Sequence, residues 1–274
     1  MNLENYFISL FENKYIGDDA AVINNYVYSK DAFFENVHFK KEWMSYYQIA
    51  RKSMLVNISD AIAMNAKPKY ILMSVAMPSN ITKLEMEQLA QGFQDVAREF
   101  ECEIIGGDTI SNTKLDITIT VVSYTKKPLE RRGVKLGDYI AHTGTLGNSK
   151  KDLQKLFRGG SLHKKSKFIN IQLRDSFVFN TARFLSAGMD LSDGLFSDLG
   201  KLSESSKVGF HLFRSIPKSV ACSGEEYEIL FAFSPRNKKV VLRRAKQSRT
   251  PINIVAKASR KKYINRCKSH HFKK

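Results

Sequence analysis

Apolar residues set the periods of this chain before any residue suggests chemistry. Leu3, Tyr6, Phe7, Leu10 and Phe11 recur at helical spacing over residues 1–14 and predict an N-terminal helix that Gly17 breaks. Ala20-Ala21-Val22-Ile23, a turn at Asn24-Asn25, and Tyr26-Val27-Tyr28-Ser29 read as a β-hairpin leading to Lys30-Asp31. Asp19 therefore enters one strand and Asp31 leaves the next. From 45 to 64, the positions Tyr46, Ile49, Ala50, Met54, Leu55, Ile58 and Ile62 predict an amphipathic helix with Asp60 inside it. A strand follows over 70–77, stopped by Pro78, and a second helix over 82–100 with its cap at Asn80/Thr82. Residues 102–105 read as a strand feeding a glycine turn, and 115–124 alternate cleanly as another strand.

This order predicts an α+β domain over residues 1–128, closing at Lys126-Lys127-Pro128, and a second domain over 129–274. The second opens with Arg131-Arg132-Gly133, and its strand at 139–143 runs into Gly144-Thr145-Leu146-Gly147. A lysine-rich, weakly patterned section comes next, then a helix over 175–186. Met189-Asp190-Leu191-Ser192-Asp193-Gly194 leads into a helix over 195–206 that Ser192 or Asp193 is expected to start. Ser223-Gly224-Glu225-Glu226-Tyr227 precedes a strong strand over 229–233.

Composition narrows the classes. At 274 residues with 43% hydrophobic and 26% charged content, the chain is globular and long enough for about two domains. No apolar run approaches the ~20 residues of a membrane span, and the N-terminus lacks the order of a signal peptide, so a cytoplasmic protein without a membrane partner is expected. Cys102, Cys222 and Cys267 are scattered without metal-ligand spacing and are read as reduced thiols. The net charge of +17 invites a nucleic-acid reading, but the lysines and arginines crowd into 150–167 and 236–274 without an aromatic strand motif. Those runs are read as solvated faces, with no specific nucleic acid as partner.

Chemistry is suggested by Ile104-Ile105-Gly106-Gly107-Asp108-Thr109, where two glycines would bring a carboxylate beside bare N–H groups at the end of a buried strand. Ile16-Gly17-Asp18-Asp19, Val56-Asn57-Ile58-Ser59-Asp60 and the Asp190 to Asp193 stretch supply further acids after short apolar runs. Magnesium takes oxygen ligands and bridges carboxylates to phosphates, which suits aspartates delivered singly from turns. The chain has no His/Cys pairing for zinc, no Gly-x-Ser-x-Gly elbow and no Gly-x-x-x-x-Gly-Lys-Ser/Thr loop. An ATP user of this kind would screen its phosphates with metal ions. Any one of these aspartates is equally a turn former or cap, and spacing alone does not show that they converge.

As a set, the motifs resemble the thiamine-monophosphate kinase family, which shares its fold with aminoimidazole-ribonucleotide synthetase and selenophosphate synthetase. The matching stretches are Ile16 to Val22, Ser29-Lys30-Asp31 with Val37-His38-Phe39, Val56 to Ala61, Ile105 to Thr109, Thr143 to Gly147, Asp190 to Leu195 and Ser223 to Glu228, in family order along nearly the whole chain. The resemblance implies a two-domain aminoimidazole-ribonucleotide-synthetase-like fold, with an α+β N-terminal domain that pairs into a homodimer and an α/β C-terminal domain. It implies ATP-dependent phosphorylation of thiamine monophosphate to thiamine diphosphate, with several Mg2+ ions as cofactors. Asp19, Ser29, Lys30, Asp31, Asp60, Asp108, Asp190 and Asp193 carry over as metal ligands, Lys30 through its carbonyl where the family has threonine. Gly107, Asp108, Arg131 and Ser192 carry over as ATP contacts, and His38 and Glu225 as substrate contacts.

The chain also departs from the family pattern. Its 147–175 segment is shorter and richer in lysine, Ser223 and Glu226 stand where the family has glycine and aspartate, and the family's C-terminal aromatic aligns near Ser269, with Phe272 as the substitute. No covalent nucleophile is expected, because the acceptor is itself a phosphate oxygen, largely ionised at neutral pH. Another ATP-dependent synthetase of the same fold, acting on a different small substrate, is the alternative. A non-enzymatic nucleic-acid binder stands third, separated by salt-dependent binding without a magnesium requirement.

Overall fold

A computed structural model describes residues 3–11 and 13–268. The sheets fall on either side of residue 128. The first has the order β1-β2-β5-β3-β4, built from β1 (Ala21–Ile23), β2 (Tyr26–Phe34), β3 (Lys67–Pro78), β4 (Glu103–Asn112) and β5 (Asp116–Tyr124). Only β3 and β4 run parallel. The second has the order β7-β9-β6-β10-β8, from β6 (Tyr139–Thr143), β7 (Ala187–Asp190), β8 (Gly209–Leu212), β9 (Ile229–Phe233) and β10 (Ile252–Ser259). Every pairing in it is antiparallel, so the C-terminal half is α+β like the first, where an α/β half was expected.

The helices are α1 (Leu3–Ser9), α2 (Tyr46–Ala63), α3 (Lys83–Glu99), α4 (Asn148–Phe157), α5 (Asp175–Thr181), α6 (Leu195–Ser206), α7 (Lys218–Ala221) and α8 (Lys238–Gln247). Helix α2 is the centre of the molecule. It starts at a capping box in which Ser45 and Gln48 satisfy each other's backbone N–H groups. It packs on β2 and β5 of the first sheet, on β7 of the second, and on α3 and α5. Gly92 of α3 permits the close helix contact, since a Cβ there would lie 2.5 Å from the Tyr47 carbonyl. With neighbours on so many sides, α2 buries Lys52, Ser53, Asn57 and Ser59 along with its apolar residues. It is therefore not the one-faced amphipathic helix that the apolar spacing predicts; the spacing marks only its most apolar stripe. One apolar core runs from Phe33, Ile49 and Ile119 to Phe177, Phe231 and Phe233, so the two sheets share it.

Other expectations change in detail. No turn interrupts Gly106-Gly107: β4 passes straight through, with Ile105 as a bulge residue between the Ile71/Ile104 and Leu72/Gly106 partners. Strand β2 continues to Phe34, which leaves Ser29, Lys30 and Asp31 in mid-strand. The helix expected over 175–186 is α5 followed by a 3-10 turn at Ala182–Phe184, and α6 starts at Gly194 without a side-chain cap. The lysine-rich section holds α4, whose pattern is masked by solvated lysines. The apolar side chains of α1 and its extension, Leu3, Tyr6, Phe7, Leu10 and Phe11, are exposed. Cys222 and Cys267 are joined in a disulfide with Cα atoms 5.6 Å apart, which corrects the reading of all three cysteines as reduced. Cys102 is a buried free thiol that burial pushes up to about 11.

Candidate active site

Strand alternation and helix geometry bring distant acids together. Asp19 ends the loop before β1, Asp60 lies in the last turns of α2, and Asp190 closes β7. Each offers one carboxylate oxygen, and these three oxygens lie within 4.8 Å of one another. The backbone N–H of Asp190 donates to Asp19 Oδ2 at 3.3 Å, and Ser59 Oγ donates to Asp190 Oδ2 at 3.0 Å. On β2, Ser29 and Asp31 face α2 while Lys30 between them points the other way, as the period of a strand requires. Ser29 Oγ donates to the Asn57 carbonyl at 3.3 Å, and the Asp31 N–H donates to Asn57 Oδ1 at 2.7 Å. Lys30 Nζ instead meets Thr118 Oγ1 at 3.2 Å, so its side chain is outside the cluster.

Electrostatics set this cluster apart. Burial, with the charges of Asp190, Asp31 and Asp19, raises the Asp60 carboxyl well above its ordinary range. Burial, with Asp19 and Asp198, does the same to Asp190. Asp18 is pushed up to about 6, first by burial and then by Asp19. Arg131 offsets part of this charge: its guanidinium pairs with Asp19, Nε at 3.0 Å, and its backbone N–H donates to Asp18 Oδ2 at 3.0 Å. Buried like charges held this close call for cations or protons. An all-oxygen donor set from three segments fits a hard divalent cation such as Mg2+.

The remaining expected site residues are spread around this centre. Asp193 lies 2.6 Å from Lys201 Nζ, which also reaches Asp198 at 3.2 Å. Ser192 gives its carbonyl to the Glu225 N–H at 2.8 Å. His38 is half-buried, with Nδ1 accepting from the Phe34 N–H at 3.0 Å and the ring stacked on Phe33. Glu225 pairs with Lys52 at 2.7 Å. Asp108 does not join the buried acids: it sits on the exposed edge strand β4, its Oδ1 accepting from the Thr109 N–H at 2.9 Å. Gly107 has φ +149°, and a Cβ there would fall 1.6 Å from the Met73 carbonyl, so the neighbouring strand alone demands glycine. Phe272 lies outside the described residues.

Several participants were not singled out from the sequence. Asn57 and Ser59 stand inside the matched Val56 to Ala61 motif, and their place three and one residues before Asp60 was the available clue. Tyr227 is buried among Glu225, Asp31, Asp190 and Asp60, and burial followed by those charges raises its hydroxyl. The two departures at 223 and 226 answer each other: Ser223 Oγ donates to Glu226 Oε1 at 2.6 Å, and the Gly147 N–H donates to the same oxygen at 2.7 Å. Lys167, from the run read as a solvated face, instead meets Glu226 at 3.0 Å and Glu228 at 2.9 Å.

Comparison with known proteins bears on the fold and the family. The family described as AIR synthase related protein, N-terminal domain, matches residues 17–125. The chain is 32% identical to the thiamine-monophosphate kinase of Nitrosopumilus maritimus, covering 75% of this chain and 72% of that protein. It is 33% identical to that of Buchnera aphidicola subsp. Schizaphis graminum, covering 82% and 78%. Among solved structures, AaThiL complexed with AMPPCP and TMP superposes with a TM-score of 0.83 at 23% identity, over 95% of this chain and 91% of that one. The HypE-HypF complex gives a TM-score of 0.80 at 16% identity, over 94% and 93%, a likeness of fold. With a third of its residues identical to such relatives over more than two thirds of their length, the chain belongs to the thiamine-monophosphate kinase family.

Proposed function

We propose that this protein phosphorylates thiamine monophosphate to thiamine diphosphate with ATP, by direct in-line transfer, in a Mg2+-dependent reaction in the cytoplasm. The observation that carries the reading is the trio Asp19, Asp60 and Asp190, two half-buried and one buried, each with a carboxylate oxygen within 4.8 Å of the others'. Family membership supplies the activity: relatives at about a third identity are thiamine-monophosphate kinases, and a solved relative of the same fold binds AMPPCP and TMP.

Magnesium, when bound, supplies positive charge to anionic phosphates and to the carboxylates that hold it. The ligands we assign are Asp19, Asp60 and Asp190, with Asp31, Ser29, the Lys30 carbonyl and Asp193 around them. Asp108 and Gly107 on β4 are assigned to ATP, with Asp108 also as a ligand. Arg131, which now holds Asp19, is assigned to the nucleotide phosphates together with Ser192. His38 and Glu225 are assigned to the acceptor. The protein's contribution is orientation and charge balance, which suffice for a transfer whose nucleophile is already an ionised phosphate oxygen.

The homodimer expected from the family would use β4. This strand is bonded on one side only and exposed along nearly its whole length, with Ile104, Ile105 and Ile110 open to solvent. We also divide the chain at residues 128 and 129, between the two sheets. No helix among the described residues is long and apolar enough to cross a membrane. The test is purified protein with ATP and either thiamine monophosphate, formylglycinamidine ribonucleotide or selenide, with and without Mg2+. Thiamine diphosphate with equimolar ADP, lost on chelation, is expected; turnover of another acceptor in preference would favour a sister synthetase.

A further inference from the structure

Lys52 has no part in the assignments above, yet its side chain is wholly buried. It lies on α2 eight residues before Asp60, about 12 Å along the helix at the usual rise. A buried ammonium is costly unless it is paired and hydrogen-bonded. Here Nζ donates to Glu225 Oε2 at 2.7 Å, sits 3.5 Å from the centroid of the Phe168 ring, and lies 5.7 Å from that of Phe33. Phe33 belongs to β2, Phe168 to the segment after α4, and Glu225 to the loop before β9. One cation therefore ties the central helix to both halves of the molecule.

The partner is held as firmly from its own side. Glu225 and Tyr227 both have left-handed backbones, φ +55° and +47°, which a residue other than glycine adopts only when its surroundings enforce it. The Glu225 N–H donates to the Ser192 carbonyl at 2.8 Å and the Tyr227 N–H to that of Leu191 at 2.9 Å, so the loop is fastened to the stretch that follows Asp190. The Glu225 side chain remains 28% exposed. The carboxylate is thus presented from a fixed loop, with one oxygen engaged by a cation that solvent does not reach.

We propose that Lys52 is a positioning residue for the phosphate acceptor: by holding Oε2 of Glu225 it fixes the carboxylate's orientation and leaves Oε1 to the substrate. This rests on the reading of Glu225 as an acceptor contact. Pairing with Lys52 also offsets the charge of Glu225, which together with Asp31, Asp190 and Asp60 acts on the Tyr227 hydroxyl in a region that must admit a phosphate. An apolar residue of equal volume would fill the space but leave Glu225 unbalanced and free to rotate.

The test is steady-state kinetics of the full chain with Lys52→Met, Glu225→Gln and the double variant, varying thiamine monophosphate and ATP separately. Lys52→Met is expected to raise KM for thiamine monophosphate about tenfold or more, the scale of one lost charge-assisted hydrogen bond, with KM for ATP within about twofold. The double variant should be no worse than the weaker single one, since the two residues act as a unit. A folded Lys52→Met with unchanged KM for the acceptor, an equal rise in both KM values, or additive losses in the double variant would overturn the proposal. If Lys52→Met does not fold, Glu225→Asp decides: it keeps the charge but retracts it by one methylene from Lys52, and a wild-type KM there also overturns it. Absence of thiamine monophosphate turnover in the wild type would sink the functional reading and this proposal with it, whereas wild-type turnover with an unmoved variant would sink the proposal alone.

Discussion

Asp60 shows how a site residue works against the fold that holds it. Burial and the charges of Asp190, Asp31 and Asp19 oppose its ionisation, so without metal the carboxylate is a destabilising element. Asp60→Asn is therefore expected to raise the melting temperature of chelator-treated protein while lowering turnover at least ~100-fold, the scale of one lost electrostatic partner in a transition state. Differential scanning fluorimetry and a turnover assay read the two effects, and a variant that loses stability in chelator contradicts the first. Asp18 gives the corresponding pH dependence. Its folded value of about 6 lies above the ordinary 3.8, so the folded state binds the extra proton and stability falls as pH rises through that window. Metal-free protein should melt at a lower temperature at about pH 7 than at about pH 5, and Asp18→Asn should shrink the difference. A melting temperature that rises equally in both proteins would contradict the assignment. At this scale the aspartates were legible because each ends an apolar run, but their convergence was not. Asp19 and Asp190 are brought together by contacts across 171 positions, as in the bond from the Asp190 N–H to Asp19. Lys52 was invisible for the opposite reason: a lysine in a helix reads as a solvated position until its neighbours are known.

Elements follow the sequence wherever a local rule fixes them. The alternation of β5 is buried at every second residue as predicted, and α3 begins at Thr82 with Glu85 completing the capping box. The glycine pair misled because two glycines signal either a turn or a close approach of two strands. At Gly107 the approach wins, with Met73 occupying the space a side chain would need. The consequence is a ten-residue edge strand, β4, that presents Ile105 with 53% of its surface exposed. If this edge is the dimer contact, Ile105→Lys, a common way of blunting an edge, should convert dimer to monomer in sedimentation velocity and leave the far-UV spectrum unchanged. A variant that sediments as the wild type would place the contact elsewhere. Helix α4 and strands β8 and β10 were harder to read: the lysines of α4 carry no period, and the two strands are set by pairing with each other and with β6 across the second half.

The whole molecule gains a function from sharing one core between two sheets. Asp19 and Asp60 come from the first half and Asp190 from the second, with α2 packed on both, so any ion held by all three also fastens the halves together. Ligand binding and global stability are then linked, and saturation at ~100-fold over the dissociation constant contributes about 2.7 kcal/mol. The most direct measurement of this account is transfer from γ-labelled ATP to thiamine monophosphate at saturating Mg2+, followed for the wild type and for Asp190→Asn, with the melting temperature of each recorded with and without Mg2+ and a non-hydrolysable ATP analogue. The account predicts labelled thiamine diphosphate from the wild type, at least ~100-fold less from the variant, and a joint stabilisation that the variant loses. Undiminished transfer and an undiminished thermal shift in a folded Asp190→Asn protein would contradict it, because the second half would then border the site without holding any of its charge.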